Sequence, residues 1–190
     1  MRLTPTLVLC ALLPLQPAFA AGVHQHGAAQ LDLILDPPML AVSIRSPLAN
    51  LIGFEHRPES EQEQADWATL QHQLQQAEHQ LQLPDAADCS LSKVALHQPF
   101  KETDTYDAHS HGHSHSHDQH DHSADDEHQE HADLMVEYHY LCADSAQLKQ
   151  LQLPLMQHYP GIERLDVQLI TPSGQHLSQL RQGETLLELP

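Results

Sequence analysis

Residues 109–131 read HSHGHSHSHDQHDHSADDEHQEH. The segment has no Leu, Ile, Val or aromatic residue, so it cannot help build a core. Any core must come from the chain on either side of it. Residues 98–131 then form a loop of about thirty residues inside a compact domain, and loops that long without secondary structure are usually functional or disordered. This composition predicts disorder without a ligand. Three roles fit it: a metal-binding loop, a pH-sensitive tether, or a solvated linker without a role.

The flanks carry the folding pattern. Ala29, Leu31, Leu33 and Leu35 alternate with Gln30, Asp32 and Ile34, and Asp36-Pro37-Pro38 breaks the run. Leu40, Val42 and Ile44 then alternate with Ala41, Ser43 and Arg45, which predicts a β-hairpin over residues 27–46. Trp67, Leu70, Leu74, Ala77 and Leu81 form one apolar stripe and predict a helix over 59–83, bounded by Pro58 and Pro84. CSLSKVALH at 89–97 is read as a strand despite poor alternation. DLMVEYHYLC at 133–142 is a clearer one, with Leu134, Val136, Tyr138, Tyr140 and Cys142 on one face. If these two pair with Cys89 opposite Cys142, the histidine segment is the loop of their hairpin. Short helical pieces are expected over 145–158, a strand over 162–171, a turn at Ser173-Gly174, and a last edge strand in TLLELP. Strands in runs with one long helix predict an α+β domain with a mostly antiparallel sheet, one long amphipathic helix and the long His-rich loop.

The first twenty residues, MRLTPTLVLCALLPLQPAFA, have the form of a secretory signal peptide. Arg2 precedes an apolar stretch too short to span a bilayer comfortably, and Ala18-Phe19-Ala20 fits the cleavage rule. Leu9 before Cys10 disfavours a lipoprotein. Residues 21–190 are then a single exported domain with no membrane span. Beyond residue 20, seven Lys/Arg stand against 26 Asp/Glu, a formal charge of −19. Such a surface repels nucleic acid and anionic lipid and attracts cations. Cleavage leaves two cysteines, Cys89 and Cys142. In an oxidising compartment an even pair points to a disulfide, with two buried thiols as the alternative.

Neutral imidazole is a metal ligand, and its unperturbed pKa of about 6.5 leaves most of it neutral at pH 7. His109, His111, His113, His115 and His117 alternate with Ser or Gly, so an extended chain puts neighbours on one side, where they can chelate one ion. His120, His122, His128 and His131 follow among Asp118, Asp121, Asp125, Asp126, Glu127 and Glu130. Nitrogen and oxygen donors without thiolate suit Zn(II), Ni(II), Cu(II) and Co(II). The segment is expected to hold several ions at modest affinity. His24 and His26 are again alternate, and with His56 they make a candidate structured site. Cleavage after Ala21 would instead place His24 third in an amino-terminal copper or nickel clamp, at the cost of Phe19 at a position that prefers small residues. His139 is a weaker fourth candidate. His72 and His79 are read as solvated, and His97, His158 and His176 as incidental. No nucleophile constellation is present, so the chain is not expected to be an enzyme.

HQHG at 24–27, SPLANLIGFEHRP at 46–58 and the internal histidine-rich loop together resemble the ZrgA-like family of histidine-rich zinc-uptake proteins of the bacterial periplasm. HYPGIERLDVQLITPSGQ at 158–175 resembles the family's carboxy-terminal pattern. The resemblance implies periplasmic capture of Zn(II), as several bound ions, in support of uptake by an inner-membrane zinc transporter or its receptor. The competing readings are a buffer or detoxifying sponge for Ni(II) or Cu(II), and an envelope interaction module whose loop senses pH.

Overall fold

The computed structural model describes residues 26–100 and 132–190. Residues 1–20, expected to be a signal peptide, His24 and the histidine segment lie outside them. The elements are β1 (Ala28–Asp36), β2 (Met39–Pro47), α1 (Leu48–Ile52), α2 (Glu61–Gln75), β3 (Cys89–His97), β4 (Asp133–Cys142), β5 (Gln150–Gln152), α3 (Leu155–His158), β6 (Arg164–Thr171), β7 (Gly174–Arg181) and β8 (Leu186–Glu188).

Six strands form one sheet in the order β3-β4-β2-β1-β6-β7. The expected first hairpin is present, with Leu31 opposite Ile44 and Leu33 opposite Val42 across a turn that holds a cis Pro37–Pro38 peptide. The expected α+β class with a mostly antiparallel sheet is what the chain adopts, and the one parallel pair in this sheet is β1 with β6. β4 follows the histidine segment yet inserts between β3 and β2, which precede it. The two flanks therefore share one sheet, and neither has a complete core without the other.

Period-two alternation gives the sheet one apolar face. Leu31, Leu33, Val42, Ile44, Val136, Tyr138, Leu165 and Val167 are all at most 3% exposed. Leu70 and Leu74 of α2 join the same core, as do Leu81, Leu151, Leu155 and Ile162 from the segments around it. Burial of each such leucine or isoleucine contributes about 1.5–3 kcal/mol. The opposite face, with Gln30, Asp32, Ser43, Glu137, His139 and Asp166, stays partly or fully open. β3 is an edge strand with a register irregularity between Leu91 and Lys93 and little burial on either face, which explains its poor alternation.

The helix over 59–83 is shorter than expected. α2 begins with a capping box in which Ser60 Oγ accepts from Glu63 N and the Glu63 carboxylate accepts from Ser60 N. It stops at Gln75. The Tyr138 hydroxyl donates to the Leu74 carbonyl at 2.6 Å, and Gln80 Nε2 donates to the Gln73 carbonyl at 3.1 Å. Side chains thus take carbonyls that a longer helix would satisfy with its own N–H groups. Ala77 and Leu81 remain buried as the stripe predicts, but on a 3₁₀ turn and the residues after it. The carboxy-terminal segment TLLELP forms β8, which pairs with β5 in a separate two-stranded sheet rather than extending the main one.

Cys89 pairs with Cys142 in the β3–β4 register, and the two are joined, with S–S 2.11 Å. The disulfide closes the end of the hairpin remote from the histidine segment. The segment connects the other end, as the pairing of the two cysteines implies.

Candidate metal centre

Phe100 and Ala132, the described residues on either side of the histidine segment, are each packed into the fold. On the outgoing side Phe100 packs edge-on against Trp67 of α2, ring centroids 5.8 Å apart, and the Arg57 guanidinium lies 5.5 Å from its ring centre. On the returning side Ala132 is buried, and its carbonyl accepts the N–H of Leu48 at 2.8 Å. Both anchors use the 46–58 block or the helix that follows it.

The same block fixes Gly27, the last residue of HQHG. Asn50, 6% exposed, accepts the Gly27 N–H at 2.9 Å through Oδ1, and its Nδ2 donates to the Ala28 carbonyl at 2.9 Å. Gly27 takes φ 79°, a left-handed conformation that favours glycine, and its carbonyl accepts from Glu163 N and Arg164 N. Gly161 lies so close to α1 that a Cβ there would collide with the Asn50 carbonyl oxygen. The start of β1, α1 and the approach to β6 are thus packed around one asparagine.

His26 is therefore held where its Nδ1 faces Glu55 Oε1 at 3.9 Å; His26 is 70% exposed and Glu55 only 18%. His56 stacks on Phe54 at 5.0 Å, and its Nδ1 lies 2.9 Å from the Arg57 carbonyl. Its Nε2 faces Glu63 Oε1 at 3.7 Å. The backbone N–H groups of Ser60 and then Glu59 hold the Glu63 carboxyl below the usual glutamate range. Of the candidate structured set, the fold brings His26 to Glu55, while the imidazole of the next residue, His56, turns to Glu63. His24 and all nine segment histidines lie outside the described residues. Among the described residues, no group of three or more His, Cys, Asp or Glu side chains is placed to hold a metal ion.

Sequence reasoning passed over Glu55 and Glu63 as ligands or acceptors for these imidazoles. The pairing of an acid with each histidine was within reach of the text of GFEH and of the capping-box spacing. It also treated His97 as incidental and His139 as secondary. Both stand on the open face of the sheet, with Nε2 atoms 3.5 Å and 3.8 Å from the same Glu137 oxygen. His79 and His158 bring their rings to 5.7 Å at the surface. A cavity of about 610 Å³ on the open face, lined by Gln30, Asp32, Asp166 and Leu177 among others, contains no imidazole. Burial pushes the Asp32 carboxyl up there, against the pull of Arg45.

The disulfide fits an oxidising compartment, and no helix among the described residues is long and apolar enough to cross a membrane. No curated protein matches the chain. The model of the family described as ZrgA family zinc uptake protein matches residues 23–189, which takes in HQHG, the 46–58 block, the histidine segment and nearly all of the fold, and the chain belongs to that family.

Proposed function

We propose that this protein captures Zn(II) in the bacterial periplasm and supports its import by an inner-membrane transporter or that transporter's receptor. The observation that carries the reading is convergence. Phe100, before the histidine segment, packs beside Trp67 and Arg57, and Ala132, after it, accepts from Leu48, on the block that also carries His56 and grips Gly27, next to His26. Nine histidines on a connection between two strands collect several ions at modest affinity. His24, His26 and His56, with Glu55 beside His26, take one ion more firmly for delivery. The protein acts as a carrier and not as an enzyme: its imidazoles bind and release the ion and transform nothing.

Calorimetric titration of the mature protein with Zn(II), Ni(II) and Cu(II) tests this. Several zinc ions should bind, and deletion of residues 109–131 should remove most of them while the thermal transition survives. Unchanged stoichiometry in the deletion would exclude the segment as the reservoir. A His24→Ala/His26→Ala/His56→Ala variant should lose the tightest phase and keep the rest. Because protons compete for the same nitrogens, zinc loading should fall between roughly pH 6.5 and 5. Loading that stays flat to pH 4.5 would rule out histidine as the main ligand. Strong preference for nickel or copper would favour a buffer for those metals instead.

A further inference from the structure

Among the described residues, β7 pairs with β6 alone and leaves one edge of the main sheet open. The Gln182 N–H donates to the Glu163 carbonyl, and this bond fixes the phase of the β6–β7 ladder. Bonded and non-bonded pairs alternate along an antiparallel ladder, so Gln175, Leu177 and Gln179 turn their backbone N–H and C=O groups away from β6. Side chains close this row at both ends. The Arg181 N–H donates to the Glu184 carboxylate at 2.7 Å, and the Ser173 N–H donates to the Thr171 hydroxyl at 3.2 Å. What lies between is a short edge ready to take another strand.

We propose that β7 pairs antiparallel with β7 of a second copy of this chain, about a twofold axis at Leu177, and joins the two main sheets into one. In this register Leu177 faces its own symmetry mate, and Gln175 faces Gln179 on either side. Each of these pairs exchanges both backbone bonds. A shift by two residues in either direction brings in Arg181 or Ser173, whose N–H groups are already engaged. A shift by one sets side chains of opposite faces against each other. Charge selects the occupant. The strongly acidic chain repels its own copies over most of its surface, but Gly174–Leu180 contains no Asp, Glu, Lys or Arg. Leu177 is 77% exposed, the highest value for a large hydrophobic side chain among the described residues, and the pairing covers it with its mate. The other edge of the sheet is protected where β7 is not. β3 carries Lys93 and a register irregularity beside it, devices that discourage edge pairing, whereas the β6–β7 register is regular and β7 has no Lys or Pro. The two β3 strands then stand at the far ends of the joined sheet, remote from the interface.

The test is sedimentation equilibrium of the full mature chain over a wide concentration range in EDTA. The chelator removes any metal shared between copies, so the result is independent of zinc binding. A reversible monomer–dimer equilibrium should appear. Leu177→Lys sets two like charges directly opposite each other and should weaken the dimer about tenfold or more. Its thermal transition, read by circular dichroism at a concentration where both proteins are monomeric, should match that of the parent, because the side chain is exposed. The register is checked with a short bismaleimide, since the native cysteines are already joined. Leu177→Cys should be linked into a covalent dimer, and a mixture of Gln175→Cys with Gln179→Cys should be linked faster than either variant alone. A monomer at every concentration would overturn the proposal. So would a Leu177→Lys dimer as tight as the parent's, or a Gln175→Cys and Gln179→Cys mixture linked no faster than its components.

Discussion

Asn50 holds Gly27 by its backbone: Oδ1 accepts the Gly27 N–H and Nδ2 donates to the next carbonyl, each at 2.9 Å. One buried amide thereby ties the chain directly after HQHG to the short helix that leads into GFEH. Asn50→Leu keeps similar bulk but leaves both backbone groups without these partners. An unsatisfied buried group costs about 1–3 kcal/mol. The variant should lose at least that much stability in urea unfolding, and zinc binding at His26 should weaken alongside. A variant as stable as the parent would show that water replaces the amide without loss.

Gly161 tests the same junction from the other side. A methyl group there would overlap the Asn50 carbonyl oxygen, a backbone atom that cannot rotate away. Overpacking of this kind costs about 1–3 kcal/mol. Gly161→Ala should therefore lower the denaturation midpoint, although its entropic effect on the unfolded chain acts in the stabilising direction. An unchanged or raised midpoint would mean that α1 shifts freely.

The capping box gives the acid response of α2 a sign. Ser60→Ala should cost about 1 kcal/mol. Glu63 has its folded pKa lowered by the N–H groups of Ser60 and Glu59. A depressed carboxyl contributes stability in full above its unfolded value, near 4.3, and loses it as pH falls through the lower folded value. Stability of the parent should thus fall in acid by more than that of Glu63→Gln. Parallel pH profiles for the two proteins would refute the role of the carboxylate.

The Cys89–Cys142 bond spans a sequence separation of 53 residues. The chain-entropy model gives such a closure about 4 kcal/mol. Replacing both cysteines with alanine should lower stability by about 2–4 kcal/mol in chemical denaturation, while the β3–β4 register persists in amide NMR. Freely alkylated thiols in protein isolated without reductant would refute the bond itself.

Local pattern carried much of this fold. The alternation through Leu31, Leu33, Val42 and Ile44 made the first hairpin legible, and the even pair of cysteines pointed to the register of the third and fourth strands. What escaped depends on distant partners. α2 ends at Gln75 because Tyr138, 64 positions beyond Leu74, takes a helical carbonyl, and no helical periodicity contains that information. The parallel pairing of β1 with β6 and the β5–β8 ribbon join segments remote in sequence, so neither has a turn signal. The histidine segment was conspicuous by composition alone. His97 was not, because its relation to Glu137 exists only after two strands on opposite sides of that segment have come into register.

The disulfide also decides what a cut in the histidine segment does. Residues 89 and 142 close a covalent ring of chain, and every histidine from His109 to His131 lies on it. A protease that severs one bond between 109 and 131 opens the ring but releases no fragment. The two pieces stay joined at Cys89–Cys142, and β4 stays wedged between β3 and β2. Cleaved protein would travel as one species until reduced, with its imidazoles redistributed onto two free-ended tails anchored to the same sheet. A single proteolytic cut thus changes the connectivity of the histidine segment without shedding it.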